Sequence, residues 1–313
     1  MKIGVMGAGG VGAYFGAKLA AAGNDVTFIA RGAHLDAIMA RGLSVRSGLG
    51  DVTLSSAAAT SDPREVGIVD VVLFTVKLWD TESSARAILP MLGPKSMVVS
   101  LQNGVQKDDT LQKIAGKKAV AGGLCYIAAS IAGPGAIQHV GTLQKLIFGE
   151  FDGAPSERVT AFFDACQAAG IEAEISKDIG RATWEKFVFL VGLSACTAGT
   201  RQPIGIVRAN ALTRELLLGA MREVVDVGRA RGVALDPNYA EKRLQFIDGL
   251  PTDMRASMAV DLERGNRLEL PWLSGGVVTL GEESGIATPI NRIVTALLAP
   301  YIDGAPAKAA VGI

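Results

Sequence analysis

Glycine spacing at the start of the chain constrains it most: Ile3-Gly4-Val5-Met6 runs directly into Gly7, Gly9 and Gly12. A short apolar strand, then G-x-G-x-x-G, then a helix such as Ala13-Tyr14-Phe15-Gly16-Ala17-Lys18-Leu19-Ala20, is the turn on which a dinucleotide pyrophosphate rests. Gly7 permits the tight turn, Gly9 lets backbone approach the pyrophosphate, and Gly12 lets the helix pack on the strand. The run Gly7, Ala8, Gly9, Gly10, Val11, Gly12 is therefore the expected cofactor-binding segment. At a helix N-terminus, unpaired N–H groups and the positive end of the helix dipole already face an anion. Glycine is abundant here, 38 of 313 residues, so the motif draws its meaning from the strand before it and the helix after it.

The second strand selects the nucleotide. A strand that serves NAD ends on an acid that hydrogen-bonds the ribose hydroxyls, and that acid would repel a 2′-phosphate. Val26-Thr27-Phe28-Ile29 ends instead on Ala30-Arg31-Gly32. Arg31 offers a planar guanidinium fork that matches phosphate oxygens, so NADP(H) is the expected cofactor.

Charge and composition narrow the function classes. Lys+Arg and Asp+Glu balance at 31 each, which gives no footprint for a nucleic-acid or anionic-membrane partner. The first strand begins at once, with no basic-then-apolar leader, and the expectation is a cytoplasmic protein. Phe187 to Leu193, continued by small residues to Ala198, is shorter than the roughly 20 residues of a bilayer span and reads as a buried helix. Cys125, Cys166 and Cys196 lack close Cys or His partners, so free core thiols are expected and no metal site. His34 and His139 are isolated and read as surface or strand-end residues.

To about Ile175, strands and helices alternate. Val69–Val76 and Ser96–Leu101 are near-continuous apolar runs, suited to strands buried on both faces of a parallel sheet. Ala119–Glu150 carries short strand-like runs broken by Gly133-Pro134-Gly135 and Gly141, an antiparallel extension expected to close the sheet. From Ser176 the period becomes helical. Leu212, Leu216, Leu217, Ala220, Met221, Val224 and Val225 mark one stripe, ended by Arg231-Gly232. Thr288-Pro289 opens another helix in N-cap then N1 order, with Ile290, Ile293, Val294 and Leu297 as its buried face, and the tail after Tyr301 reads as frayed. The fold class is α/β: a Rossmann-type, doubly wound sheet over residues 1–175, followed by an all-α domain over 176–313. Substrate is expected in the cleft between them, at the carboxyl ends of the strands. The Leu- and Val-rich helices suit a homodimer face as readily as a core.

Two side chains could do chemistry. Lys186 stands in Trp184-Glu185-Lys186-Phe187-Val188-Phe189-Leu190-Val191, where burial would lower its pKa toward a usable proton donor; the alternative is a lysine that snorkels from a helix edge. Glu269 lies between leucines two residues before Pro271, which should kink the chain or restart a helix; the alternative is a solvated carboxylate paired with Arg267 or Arg264.

These segments, with Thr75-Val76-Lys77-Leu78-Trp79, Gln102-Asn103-Gly104-Val105, Ala256-Ser257-Met258 and Leu268-Glu269-Leu270, resemble the ordered landmarks of the ketopantoate reductases (2-dehydropantoate 2-reductases) over nearly the whole chain. The resemblance implies NADPH-dependent reduction of a 2-oxo acid, 2-dehydropantoate to pantoate, in pantothenate biosynthesis. It implies Lys186 as general acid and Glu269 as partner of the substrate hydroxyl. It also implies Lys77 and Asn103 beside the nicotinamide, and Ser257 holding the substrate together with Asn103. The sequence departs from the family where substrate is chosen: asparagines usually follow the lysine by four and eight residues, and here Leu190 and Ser194 stand there. A reductase of a more apolar 2-oxo acid is thus one alternative, and a non-catalytic NADP-binding regulator is another.

Overall fold

Period-two alternation in the apolar strands decides the architecture. In Val69–Phe74, Val71 and Leu73 enter one core while Val72 and Phe74 enter another, so the strand is buried on both faces. In the computed structural model, which describes residues 1–305, the strands are β1 (Lys2–Met6), β2 (Asp25–Ile29), β3 (Leu43–Arg46), β4 (Val52–Leu54), β5 (Ala58–Thr60), β6 (Val69–Phe74), β7 (Leu92–Ser100), β8 (Val120–Gly133), β9 (Ala136–Gly149) and β10 (Glu172–Ile175). Helices α1 (Gly10–Ala21), α2 (Gly32–Arg41), α3 (Thr81–Ala87), α4 (Lys107–Ala115) and α5 (Glu157–Ala168) accompany them. The sheet runs β4-β3-β9-β8-β7-β6-β1-β2-β5, with β10 on β9. From β8 to β5 every pairing is parallel, which is the doubly wound sheet read from the sequence.

The antiparallel extension is present as the β8–β9 hairpin, but it does not close the sheet. The outer edge of β9 takes β3 in parallel, and β4 pairs antiparallel with β3. A strand of 14 residues presents a long row of unpaired N–H and C=O groups, and covering that edge satisfies them. The histidines are also placed differently. His139 is 2% exposed inside β9, with Nδ1 2.8 Å from the Ser47 hydroxyl, Nε2 2.9 Å from the Leu143 carbonyl, and its ring against Tyr14. His34, half-buried on α2, accepts the Gly135 N–H at 3.1 Å, and burial lowers its pKa. Both ring nitrogens of His139 and Nδ1 of His34 thus bond within this unit. Burial also pushes the Cys166 and Cys196 thiols up to about 12, so both stay protonated and inert at neutral pH.

The second unit is built on α6 (Ile179–Thr200), α7 (Ile204–Ala209), α8 (Ala211–Ala230), α9 (Tyr239–Asp248), α10 (Ser257–Glu263), α11 (Ser274–Ser284) and α12 (Pro289–Leu298). Along α8, Leu217, Ala220, Met221, Val224 and Val225 are buried, whereas Leu212, in the first turn, is 77% exposed and lies outside the stripe. Helix α12 begins at Thr288-Pro289 as expected, yet its inward face is rotated: Asn291, Val294 and Leu298 are buried, and Ile293 and Leu297 are exposed. The cause is Glu223 of α8. Its buried carboxylate accepts the N–H groups of Ile290 and Asn291 at 2.7 and 2.9 Å and the Asn291 side-chain amide at 2.7 Å. That cap stands in for the Thr288 side chain, which makes no capping bond, and draws Asn291 inward. The start of the tail is held: Leu268 N–H donates to the Ile302 carbonyl at 2.8 Å, and Ala305 N–H to Gly265 at 3.1 Å. The tail beyond Ala305 lies outside the described residues.

Contacts divide the chain into Met1–Asn103 with Lys107–Gly180, and Gly104–Gln106 with the chain from Arg181 onward. At that crossing stands a buried ion pair. The Lys107 ammonium donates to both Asp108 carboxylate oxygens at 2.8 and 2.9 Å, to the Gly123 carbonyl at 2.9 Å and to the Ser100 carbonyl at 3.3 Å. Burial raises the Asp108 pKa above its ordinary 3.8, and the Lys107 charge pulls it back only in part. A raised carboxyl favours folding while protonated and loses that contribution as pH rises through its folded value. Lys107→Met removes the opposing charge, so the variant is expected to lose about 3–5 kcal/mol at neutral pH. The deficit should shrink as pH falls from neutral toward acid, because Asp108 takes up a proton and the unopposed charge is removed. Urea unfolding across that range checks it; a deficit independent of pH contradicts it.

Candidate functional site

Four neighbouring strands, β7, β6, β1 and β2, end side by side, and every site residue assigned to the first unit from the sequence follows one of those ends. The turn after β1 is tied to its neighbours: Gly7 and Ala8 N–H groups donate to the Ile29 carbonyl at 3.2 and 3.0 Å, and Thr75 N–H to Met6 at 2.9 Å. Gly7 has φ +96°, and a Cβ there would lie 2.9 Å from the Val76 nitrogen. A Cβ on Gly12 would lie 2.3 Å from the Thr75 hydroxyl oxygen and 2.4 Å from the Gly7 carbonyl oxygen. The Thr75 hydroxyl donates to that same carbonyl at 2.6 Å, so turn, helix and β6 end lock together only without side chains at these two positions.

Gly9 differs. It is the N-cap of α1, and a Cβ there meets nothing within 4 Å. Gly10, Val11 and Gly12 follow as the first turn, whose N–H groups have no acceptor within the helix, and that turn carries no acidic residue. The residues present fit a dinucleotide pyrophosphate: open space over Gly9 at the positive end of a 12-residue helix. After β2, Ala30 is buried and Arg31 is exposed at the N-cap of α2, whose first turn also lacks an acid. After β6, Lys77 is exposed, with its ammonium 5.7 Å from the centre of the Trp79 ring. After β7, Asn103 is half-buried and is the last residue before the chain crosses for three residues into the helical unit.

Lys186 and Glu269 both belong to the helical unit. Lys186 is half-buried on α6, between the solvated and the fully desolvated readings. Glu269 is 7% exposed, so the solvated alternative does not hold. Pro271 does restart the chain: a short 3-10 turn over Leu270–Trp272 leads into α11, and the Glu269 carbonyl accepts the Trp272 and Leu273 N–H groups at 3.0 and 3.2 Å. Ser257 is exposed as the first residue of α10. Its neighbour Ala256 donates to the Thr197 hydroxyl at 3.3 Å, which ties α10 to α6 about 16 Å of helix beyond Lys186. Leu190 shares the Lys186 face one turn on and packs against the helical core. Ser194 is fully buried, and its hydroxyl has no hydrogen-bond partner among the described residues.

Sequence reading missed the polar framework behind these positions. Thr75 and Gln102 stood within quoted landmarks without a role, and Lys107-Asp108 stood outside every motif singled out. Period alone signals neither, because long-range hydrogen bonds leave no trace in local spacing.

Comparison with known proteins accounts for both units. The family model Ketopantoate reductase PanE/ApbA matches residues 3–153, and its C-terminal model, Ketopantoate reductase PanE/ApbA C terminal, matches residues 178–301. The chain belongs to the ketopantoate reductase family. A 2-dehydropantoate 2-reductase of Archaeoglobus fulgidus is 33% identical, over 95% of this chain and 96% of its own length. The uncharacterized oxidoreductase YkpB of Bacillus subtilis is 29% identical, over 96% and 99%. The crystal structure of a PanE/ApbA family ketopantoate reductase from Ralstonia eutropha JMP134 superposes with a TM-score of 0.88 at 36% identity, over 96% of this chain and 98% of that one. This family member is therefore an oxidoreductase with a Rossmann-type first unit and a helical second unit.

The two glycines make opposite demands. Gly12→Ala is expected to cost about 1–3 kcal/mol through the clash with Thr75 and Gly7. Gly9→Ala, with open space around it, should cost less than about 1 kcal/mol. Urea denaturation of both variants decides the matter, and equal losses would contradict the packing described.

Proposed function

We propose that this protein reduces a 2-oxo acid with NADPH, and that the substrate is 2-dehydropantoate, converted to pantoate. The observation that carries the reading is the open Gly9 position at the α1 N-terminus, among strand ends that bear Arg31, Lys77 and Asn103. Arg31, in place of an acid, would bind the 2′-phosphate through its guanidinium. Gly7, Ala8, Gly9, Gly10, Val11 and Gly12 would hold the pyrophosphate, with Lys77 and Asn103 bordering the nicotinamide. When bound, NADPH supplies the hydride that reduces the substrate carbonyl.

The chain's own residues handle the charge and the proton. As negative charge builds on the carbonyl oxygen, the Lys186 ammonium stabilises it and then donates a proton to that oxygen, leaving a hydroxyl. The Glu269 carboxylate accepts a hydrogen bond from the substrate hydroxyl. Its burial strengthens that bond and penalises a ligand without a donor. Asn103 and Ser257 would hold the rest of the acid.

A second reading, a more apolar 2-oxo acid, is favoured by one observation: beyond Lys186 the same helix presents Leu190, then a wholly buried Ser194. Neither offers an amide to a hydroxylated substrate. Cofactor absorbance with 2-dehydropantoate and with branched 2-oxo acids that lack its hydroxyl separates the two, since the second reading requires the unhydroxylated acids to turn over at least as fast. Under either reading, Lys186→Ala should lower turnover by a factor on the order of 10² or more, and unchanged turnover would remove its role. Arg31→Asp should weaken NADPH binding much more than NADH binding; equal losses would mean that Arg31 does not bind the 2′-phosphate.

A further inference from the structure

Gln102 is 5% exposed, and every hydrogen-bonding group of its side-chain amide is engaged. Nε2 donates to the Val76 carbonyl at 2.9 Å and to the Thr81 hydroxyl oxygen at 2.8 Å, and Oε1 accepts the Ser100 hydroxyl at 3.1 Å. The Thr81 hydroxyl spends its own proton on the Leu78 carbonyl at 2.7 Å, so it can only accept from Gln102. A backbone carbonyl likewise only accepts. The amide orientation is thereby fixed, and two N–H donors at this point are required.

The three partners lie where the cofactor reading needs rigidity. Val76 immediately precedes Lys77, and its nitrogen and Cγ1 are the atoms that a Cβ on Gly7 would strike at 2.9 Å. Thr81 and Leu78 bracket the turn that follows Lys77. Ser100 ends β7, and its carbonyl is held in turn by Lys107. Gln102 itself adjoins Asn103. One buried amide therefore joins the loops after β6 and β7 and backs them against the glycine turn.

We infer that Gln102 is a positioning residue for the nicotinamide cofactor: its amide fixes the Val76 carbonyl and so sets the Lys77 and Asn103 loops at the distance the cofactor needs. The inference rests on the NADPH reading above and adds a residue that touches neither cofactor nor substrate. Gln102→Glu is the revealing substitution. At neutral pH it sets a carboxylate oxygen against the Val76 carbonyl and the Thr81 lone pairs; once protonated, it regains one donor of the two. Gln102→Met keeps the length and has no donor at any pH.

The experiment is titration of the full chain with NADPH by fluorescence from pH 5 to pH 8, with thermal melting to verify folding. Gln102→Glu should bind on the order of tenfold more weakly than wild type at pH 8 and recover most of that loss toward pH 5. Gln102→Met should be weakened at every pH, with the wild-type pH profile. Should either variant fail to fold, Ser100→Ala, which removes the bond to Oε1 and the acceptor of the Gln102 N–H while leaving both Nε2 bonds, should weaken NADPH by a few-fold with folding intact. Folded variants that bind NADPH as wild type does overturn the inference and leave the cofactor reading standing. A Gln102→Glu deficit without pH dependence also overturns it, by reducing the effect to general loss of packing. Wild-type protein that binds no nicotinamide nucleotide overturns both.

Discussion

A β-carbon on residue 12 would sit 2.3 Å from the Thr75 hydroxyl oxygen and 2.4 Å from the Gly7 carbonyl oxygen, closer than atoms approach without a bond. The absence of that atom lets α1 start directly against the ends of β1 and β6. Everything assigned to the cofactor follows from this contact. It aims the α1 N-terminus along the row of strand ends, leaves the space over Gly9 open, and brings Val76 against the turn. Rigid packing of backbone on backbone costs side-chain freedom at two positions and fixes the helix N-terminus on which the proposed pyrophosphate contact rests.

Behind the turn, buried polar groups act beside the apolar core in holding the ends of the strands. Gln102 ties the end of β7 to the loop after β6, and Lys107 ties the Ser100 and Gly123 carbonyls to Asp108. Such groups are costly when any partner is missing and directional when all are present. They suit a place where two loops must keep one spacing. In the helical unit, Glu223 plays the comparable part by capping α12 from a different helix.

Much of this was readable in the chain. Strand and helix periods at Ile3–Met6, Val69–Phe74 and Leu217–Val225 predicted the two classes of structure, and the glycine run located the turn. The Pro271 break was legible because proline lacks an N–H. What escaped depends on distant partners. The rotation of α12 follows from a carboxylate 67 residues earlier in the chain, and it exposes Ile293 and Leu297 although local period placed them inside. His139 was isolated in sequence, yet β3 and β9 pair so that Ser47 reaches it. Leu212 shows the reverse limit: an apolar residue in register with a stripe stays exposed when its turn precedes the core.

Hydrogen exchange of the full protein with and without saturating NADPH tests the central claim most directly, because it reads the backbone N–H groups themselves. Slowed exchange is expected at Gly10–Gly12 and in the loops around Lys77 and Asn103, with β3 and β4 unchanged. Bound NADPH that leaves exchange at the glycine turn unaltered would contradict the account.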